Sequence, residues 1–113
     1  MTPTTKVLAL CGSLRSKSSN KGLLRYAQAN APEGMSIEIA DLASIPFYNA
    51  DITEVPPAVT QLLAQFANAD AFILGGPEYN YSISPALKNA IDWASRAPNN
   101  ALLGGKAAAI MGA

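Results

Sequence analysis

The segment Gly12-Ser13-Leu14-Arg15-Ser16-Lys17-Ser18-Ser19-Asn20 gathers four serine hydroxyls, one amide and two cations. It follows a short apolar run, Lys6–Cys11, and precedes a helical pattern carrying Leu23, Leu24 and Ala27. A helix start offers unpaired backbone N–H groups and the positive end of the helix dipole. Hydroxyls, a guanidinium and a helix N-terminus together form the donor set for a terminal phosphate. Several phosphate chemistries can be weighed on these residues. A Walker A loop requires glycine before its Lys-Ser, and Lys17-Ser18 follows Ser16. The dinucleotide fingerprint requires three spaced glycines, and only Gly12 and Gly22 stand here. A cysteine phosphatase pairs a thiolate with an arginine six positions later. Cys11 is suitably placed, but its partner position is Lys17, which lacks the planar fork of arginine. Cys11 reads better as a small buried strand residue.

A second segment, Gly75-Gly76-Pro77-Glu78-Tyr79-Asn80-Tyr81-Ser82, pairs glycines that permit close backbone approach with a stiffening proline and two aromatic rings. Alone it is a tight aromatic turn. Opposite a phosphate loop it describes a site for a flat polar ring with a phosphate tail, and flavin mononucleotide (FMN) fits that description.

The elements that must bring these segments together are legible in the periodicity. Lys6–Cys11 is a strand buried on both faces, and Met35-Ser36-Ile37-Glu38-Ile39-Ala40-Asp41-Leu42 alternates as a half-buried or edge strand. Pro56-Pro57 opens a helix whose stripe is Val59, Leu62, Leu63 and Phe66. Ala71–Leu74 is a third strand. Ser84-Pro85 caps a third helix marked by Leu87, Ala90, Ile91 and Ala94, running to about Arg96. Trp93 is assigned to the edge of that helix or to a subunit interface. Gly104-Gly105 leads into a fourth strand from Lys106 to Met111. Strictly alternating strands and helices give a parallel sheet with helices on both faces. In such sheets ligands bind at the carboxyl ends of the strands, where strand order reverses, which selects the loops after strands one and three.

Composition narrows the chemistry further. The chain has 113 residues, half of them hydrophobic and 14% charged, which suits one packed domain. Basic and acidic residues balance at eight each, so no global charge draws it to nucleic acid or a membrane surface. Residues 1–32 nevertheless hold five cations (Lys6, Arg15, Lys17, Lys21, Arg25) and no acid. That local excess, centred on Arg15 to Arg25, suits a small anion. Histidine is absent, which excludes His-dependent triads, His bases and His metal ligands. A single cysteine forms no internal disulfide and no Cys-rich metal site, and fits a reducing, cytoplasmic compartment.

The Gly12-Ser13-Leu14-Arg15 motif with Asn20, together with the run from Pro77 to Trp93, resembles the NADPH-dependent FMN reductase family. This flavodoxin-like group includes quinone, chromate and azo-dye reductases. Ile45-Pro46-Phe47-Tyr48-Asn49-Ala50-Asp51 also resembles the family's loop beside the substrate mouth. The resemblance implies an α/β fold: a flavodoxin-like doubly wound parallel sheet in three α/β/α layers, here ending after its fourth strand. Residues 1–113 would then be the N-terminal part of an FMN-binding domain. Carried over residue by residue, it implies that Ser13, Arg15, Ser19 and Asn20 hold the FMN phosphate. Pro77, Glu78, Tyr79, Asn80 and Ser82 would line the isoalloxazine, largely through backbone groups. Gly76 departs from the pattern, standing where many members have Thr or Ser. NADPH or NADH would be co-substrate, with a quinone, chromate, an azo compound or free flavin as the small-molecule acceptor. No metal and no catalytic side chain is implied, and the intact protein would be a homodimer or homotetramer. The alternative is a flavodoxin-like fragment without productive flavin binding.

Overall fold

The computed structural model describes residues 4–77 and 82–112. Four parallel strands form one sheet in the order β2-β1-β3-β4, with β1 at Thr5–Cys11, β2 at Met35–Ala40, β3 at Ala71–Gly75 and β4 at Ala107–Met111. The chain steps outward from β1 to β2, then returns across β1 to β3. Strand order therefore reverses between β1 and β3, as the sequence predicts. Register is continuous there, with Val7 beside Ala71 and Cys11 beside Gly75.

The unbroken apolar character of β1 has a direct cause, because both its faces are covered. Leu8 and Leu10 enter one core with Leu62 and Phe66 of α2 (Pro57–Asn68) and with Leu87, Ala90 and Ala94 of α3 (Pro85–Ala94). Ala9 and Cys11 face the other way, against Leu24 of α1 (Ser19–Ala29). The approach of α1 is close: a Cβ on Gly75 would lie 3.0 Å from Leu24 carbons. The sheet is thus doubly wound, with α1 on one face and α2 and α3 on the other. Among the described residues no helix is long and apolar enough to cross a membrane.

Local chemistry sets the element ends. Ser18 caps α1 by accepting the Lys21 N–H at 3.3 Å, and Ser84 caps α3 by accepting the Leu87 N–H at 3.3 Å. Both α2 and α3 begin at a proline, where the missing amide hydrogen has no helical partner to lose. Gly34 and Gly105 take left-handed φ values of 86° and 77° just before β2 and β4. Lys106 closes the base of the sheet: its Nζ donates to the Phe66 carbonyl at 2.7 Å and lies 5.5 Å from the Phe72 ring centroid. On the outer strand β2, Gln28 of α1 donates to the Ile37 carbonyl at 2.9 Å.

Candidate functional site

The loops after β1 and β3 spring from the same end of adjacent strands. Their roots are joined directly, since Gly12 N–H donates to the Gly75 carbonyl at 2.7 Å. Gly76 N–H in turn donates to the Met111 carbonyl at 3.2 Å, tying the β3 loop to β4.

The first loop is organised by its own hydroxyls and carbonyls. Arg15 N–H donates to Ser13 Oγ at 3.4 Å, and the Arg15 guanidinium donates to the Lys17 carbonyl at 3.1 Å. Ser18 N–H donates to the Arg15 carbonyl at 3.3 Å, which turns the chain into α1. Ser13 is half-buried, Arg15 and Ser19 are exposed, and Asn20 is buried on the first turn of α1. That turn carries no acidic residue to oppose an anion. The Cys11 thiol is buried against Leu24 and donates to the Ser13 carbonyl at 3.4 Å, which suits the small packed strand residue more than an exposed nucleophile.

On the β3 side, Pro77 is half-buried and Ser82 is exposed. They line a cavity of about 180 Å³ with Gly76, Ile83, Leu87, Leu74 and Ile110. Glu78, Tyr79 and Asn80, predicted to complete this side, lie outside the described residues. A larger cavity, about 370 Å³, opens near the amino ends of β1 and β2 between Lys6, Ser36, Glu38, Gln65 and Asn68. It lies at the opposite end from the converging loops, where parallel-sheet ligands do not bind.

The 41–56 loop is bound to α3 by contacts the periodicity did not reveal. Trp93 Nε1 and Asn89 Nδ2 both donate to the Pro46 carbonyl, at 2.8 and 2.9 Å, and Tyr48 N–H donates to Asn89 Oδ1 at 2.8 Å. The Tyr48 ring meets Trp93 edge-on at 5.1 Å, and the Arg96 guanidinium sits 4.8 Å from the Tyr48 centroid. Trp93 is therefore buried within its own chain, under this loop. Phe47, between the anchored residues, is left 77% exposed. One signal in the sequence pointed here: Asn89 and Trp93 stand four apart on a helix whose apolar stripe is complete without them.

Residues 5–113 match the family model of the NADPH-dependent FMN reductases. An NAD(P)H-dependent FMN reductase of Pseudomonas aeruginosa is 50% identical over 115 residues, covering 100% of this chain and 62% of its own length. An NAD(P)H:quinone oxidoreductase of Solanum tuberosum is 46% identical over 117 residues, covering 98% of this chain and 59% of its own length. Among solved structures, FerB, a flavoenzyme NAD(P)H:(acceptor) oxidoreductase from Paracoccus denitrificans, superposes with a TM-score of 0.88 at 34% identity, covering 96% of this chain and 60% of that one. The chain thus spans less than two thirds of the length of each of these relatives.

Proposed function

The chain belongs to the NADPH-dependent FMN reductase family, and from that premise we propose that the whole protein is an FMN-dependent NAD(P)H oxidoreductase reducing quinones or similar small acceptors. The observation that carries this reading is the joining of a phosphate-type loop and a glycine-proline loop at the β1/β3 reversal, through the Gly12 to Gly75 hydrogen bond.

The donor chemistry fits a phosphate monoester. Ser13, Arg15, Ser19 and Asn20 offer two hydroxyls, a guanidinium and an amide beside a helix start without acidic residues. Arg15 gives two parallel N–H donors to phosphate oxygens, a geometry that lysine lacks. Pro77 and Ser82, with Glu78, Tyr79 and Asn80, are assigned to the ring, where backbone groups read its polar edge.

FMN held by these residues would supply the redox chemistry between a nicotinamide and the acceptor. The chain's own task is to bind, orient and shield. No side chain needs to move a proton, so the absence of histidine costs this mechanism nothing. Backbone N–H groups of the ring-side loop would supply hydrogen-bond donors to the polar edge of a bound ring. Assembly as a homodimer or homotetramer belongs to the same reading and is checked by light scattering.

Titration of the chain with FMN, followed by flavin fluorescence, tests the assignment. Saturable quenching is expected. Unchanged fluorescence would remove flavin binding from this chain, leave the family membership standing and favour a fragment without productive binding.

A further inference from the structure

The two loops meet at one point, and the contact there is closer than a methyl group allows. A Cβ at position 12 would lie 2.5 Å from Ser84 Oγ, 3.4 Å from Ser84 Cβ and 3.3 Å from Gly76 Cα. The backbone does not demand glycine at this position, since its φ lies outside the left-handed region. Space does. Ser84 is 1% exposed, and its hydroxyl is engaged by the Leu87 N–H as the cap of α3. Rotating that hydroxyl away from an added methyl would uncap the helix. Holding it in place would instead move the root of the phosphate loop.

The neighbouring glycine behaves differently. A Cβ at position 76 would meet Gly12 Cα at 3.5 Å, Gly12 N at 3.7 Å and a Leu87 methyl at 3.7 Å, all ordinary contacts. Gly76 therefore has room for a Cβ, while Gly12 does not. The tight element is the Gly12–Ser84 pair.

Position 12 is the root of the phosphate loop, and Ser84 ends the segment that begins at Pro77. We propose that Ser84 is a positioning residue: its hydroxyl, wedged against the Cα of Gly12, sets the separation between the phosphate loop and the ring-side loop. The inference rests on the flavin reading above and adds to it. A ligand that must touch both loops depends on their spacing, because packed interiors transmit small displacements rather than absorbing them. A ligand touching only the ring side depends on it much less. The Gly12–Ser84 contact thus makes recognition of the phosphate and of the ring cooperative.

The test compares FMN with riboflavin, which lacks the phosphate, by fluorescence titration of wild type, Gly12→Ala, Ser84→Gly and Gly12→Ala/Ser84→Gly. Gly12→Ala is expected to weaken FMN by about tenfold or more and riboflavin by about threefold or less. In the double variant the new methyl occupies the space the hydroxyl vacates, and FMN affinity should return to that of Ser84→Gly or better. Should Gly12→Ala fail to fold, recovery of a cooperative melt and of FMN binding in the double variant carries the same conclusion. Wild-type FMN affinity in Gly12→Ala, equal losses for the two ligands, or a double variant without recovery would each overturn the inference alone. A wild-type chain that leaves FMN unquenched would overturn the flavin reading, and this inference with it.

Discussion

Asn89 holds Tyr48 and Pro46 with a single buried amide. Its Oδ1 accepts the Tyr48 N–H at 2.8 Å while its Nδ2 donates to the Pro46 carbonyl at 2.9 Å. Both functions of the side chain are matched to backbone groups more than forty residues away, and no rotation or reversal of the amide would keep both. The 41–56 loop thereby acquires a fixed course over α3 without secondary structure of its own.

Asn89→Ala leaves a backbone N–H without its partner and removes one of two donors from the Pro46 carbonyl. A loss of about 2–3 kcal/mol in unfolding free energy is expected, measured by urea denaturation. Asn89→Asp should be worse still, because it keeps the acceptor but sets a carboxylate oxygen against a carbonyl oxygen.

Trp93 is the only tryptophan in the chain, so its emission reports on the same loop. Wild type should fluoresce as a buried indole, and Asn89→Ala should shift the maximum to the red as the loop lifts. Trp93→Phe removes the indole N–H while keeping an aromatic ring under Tyr48, and is expected to cost about 1–2 kcal/mol.

Arg15→Ala should weaken FMN about tenfold or more while leaving riboflavin nearly unchanged, because a charge-assisted phosphate contact exists only in the former. Equal losses for the two ligands would remove Arg15 from the phosphate site.

Lys106→Met keeps the aliphatic stem but loses the 2.7 Å hydrogen bond to the Phe66 carbonyl, near the C-terminal end of α2. A destabilisation of about 1–2 kcal/mol is expected in chemical denaturation. Exposed ion pairs such as Lys88–Asp92 should matter far less, and Lys88→Ala should stay within about 0.5 kcal/mol.

Much of the fold is written in local pattern. The unbroken run of β1, the alternation of β2, the Val59-Leu62-Phe66 stripe and the Ser84-Pro85 cap each state their role within a few residues, and the structure follows them closely. β1 begins one residue earlier than predicted and β4 one residue later. The contacts between distant segments are of another kind. Asn89 with Pro46, Trp93 with Pro46 and Lys106 with Phe66 are side chain to backbone bonds across 43, 47 and 40 residues. Their acceptors are carbonyls, which carry no residue identity. The Gly12–Ser84 contact is equally silent, because a glycine announces freedom of the backbone and not the neighbour that needs the space.

The two outer strands of the sheet are finished differently, and this gives the sheet a direction of growth. On the β2 side, the Gln28 side chain occupies the Ile37 carbonyl, so an incoming strand meets an acceptor already taken. On the β4 side, Ala107 to Ile110 are exposed and Ile110 is 85% accessible. A further strand, from this polypeptide or another, is therefore expected beside β4 rather than beside β2.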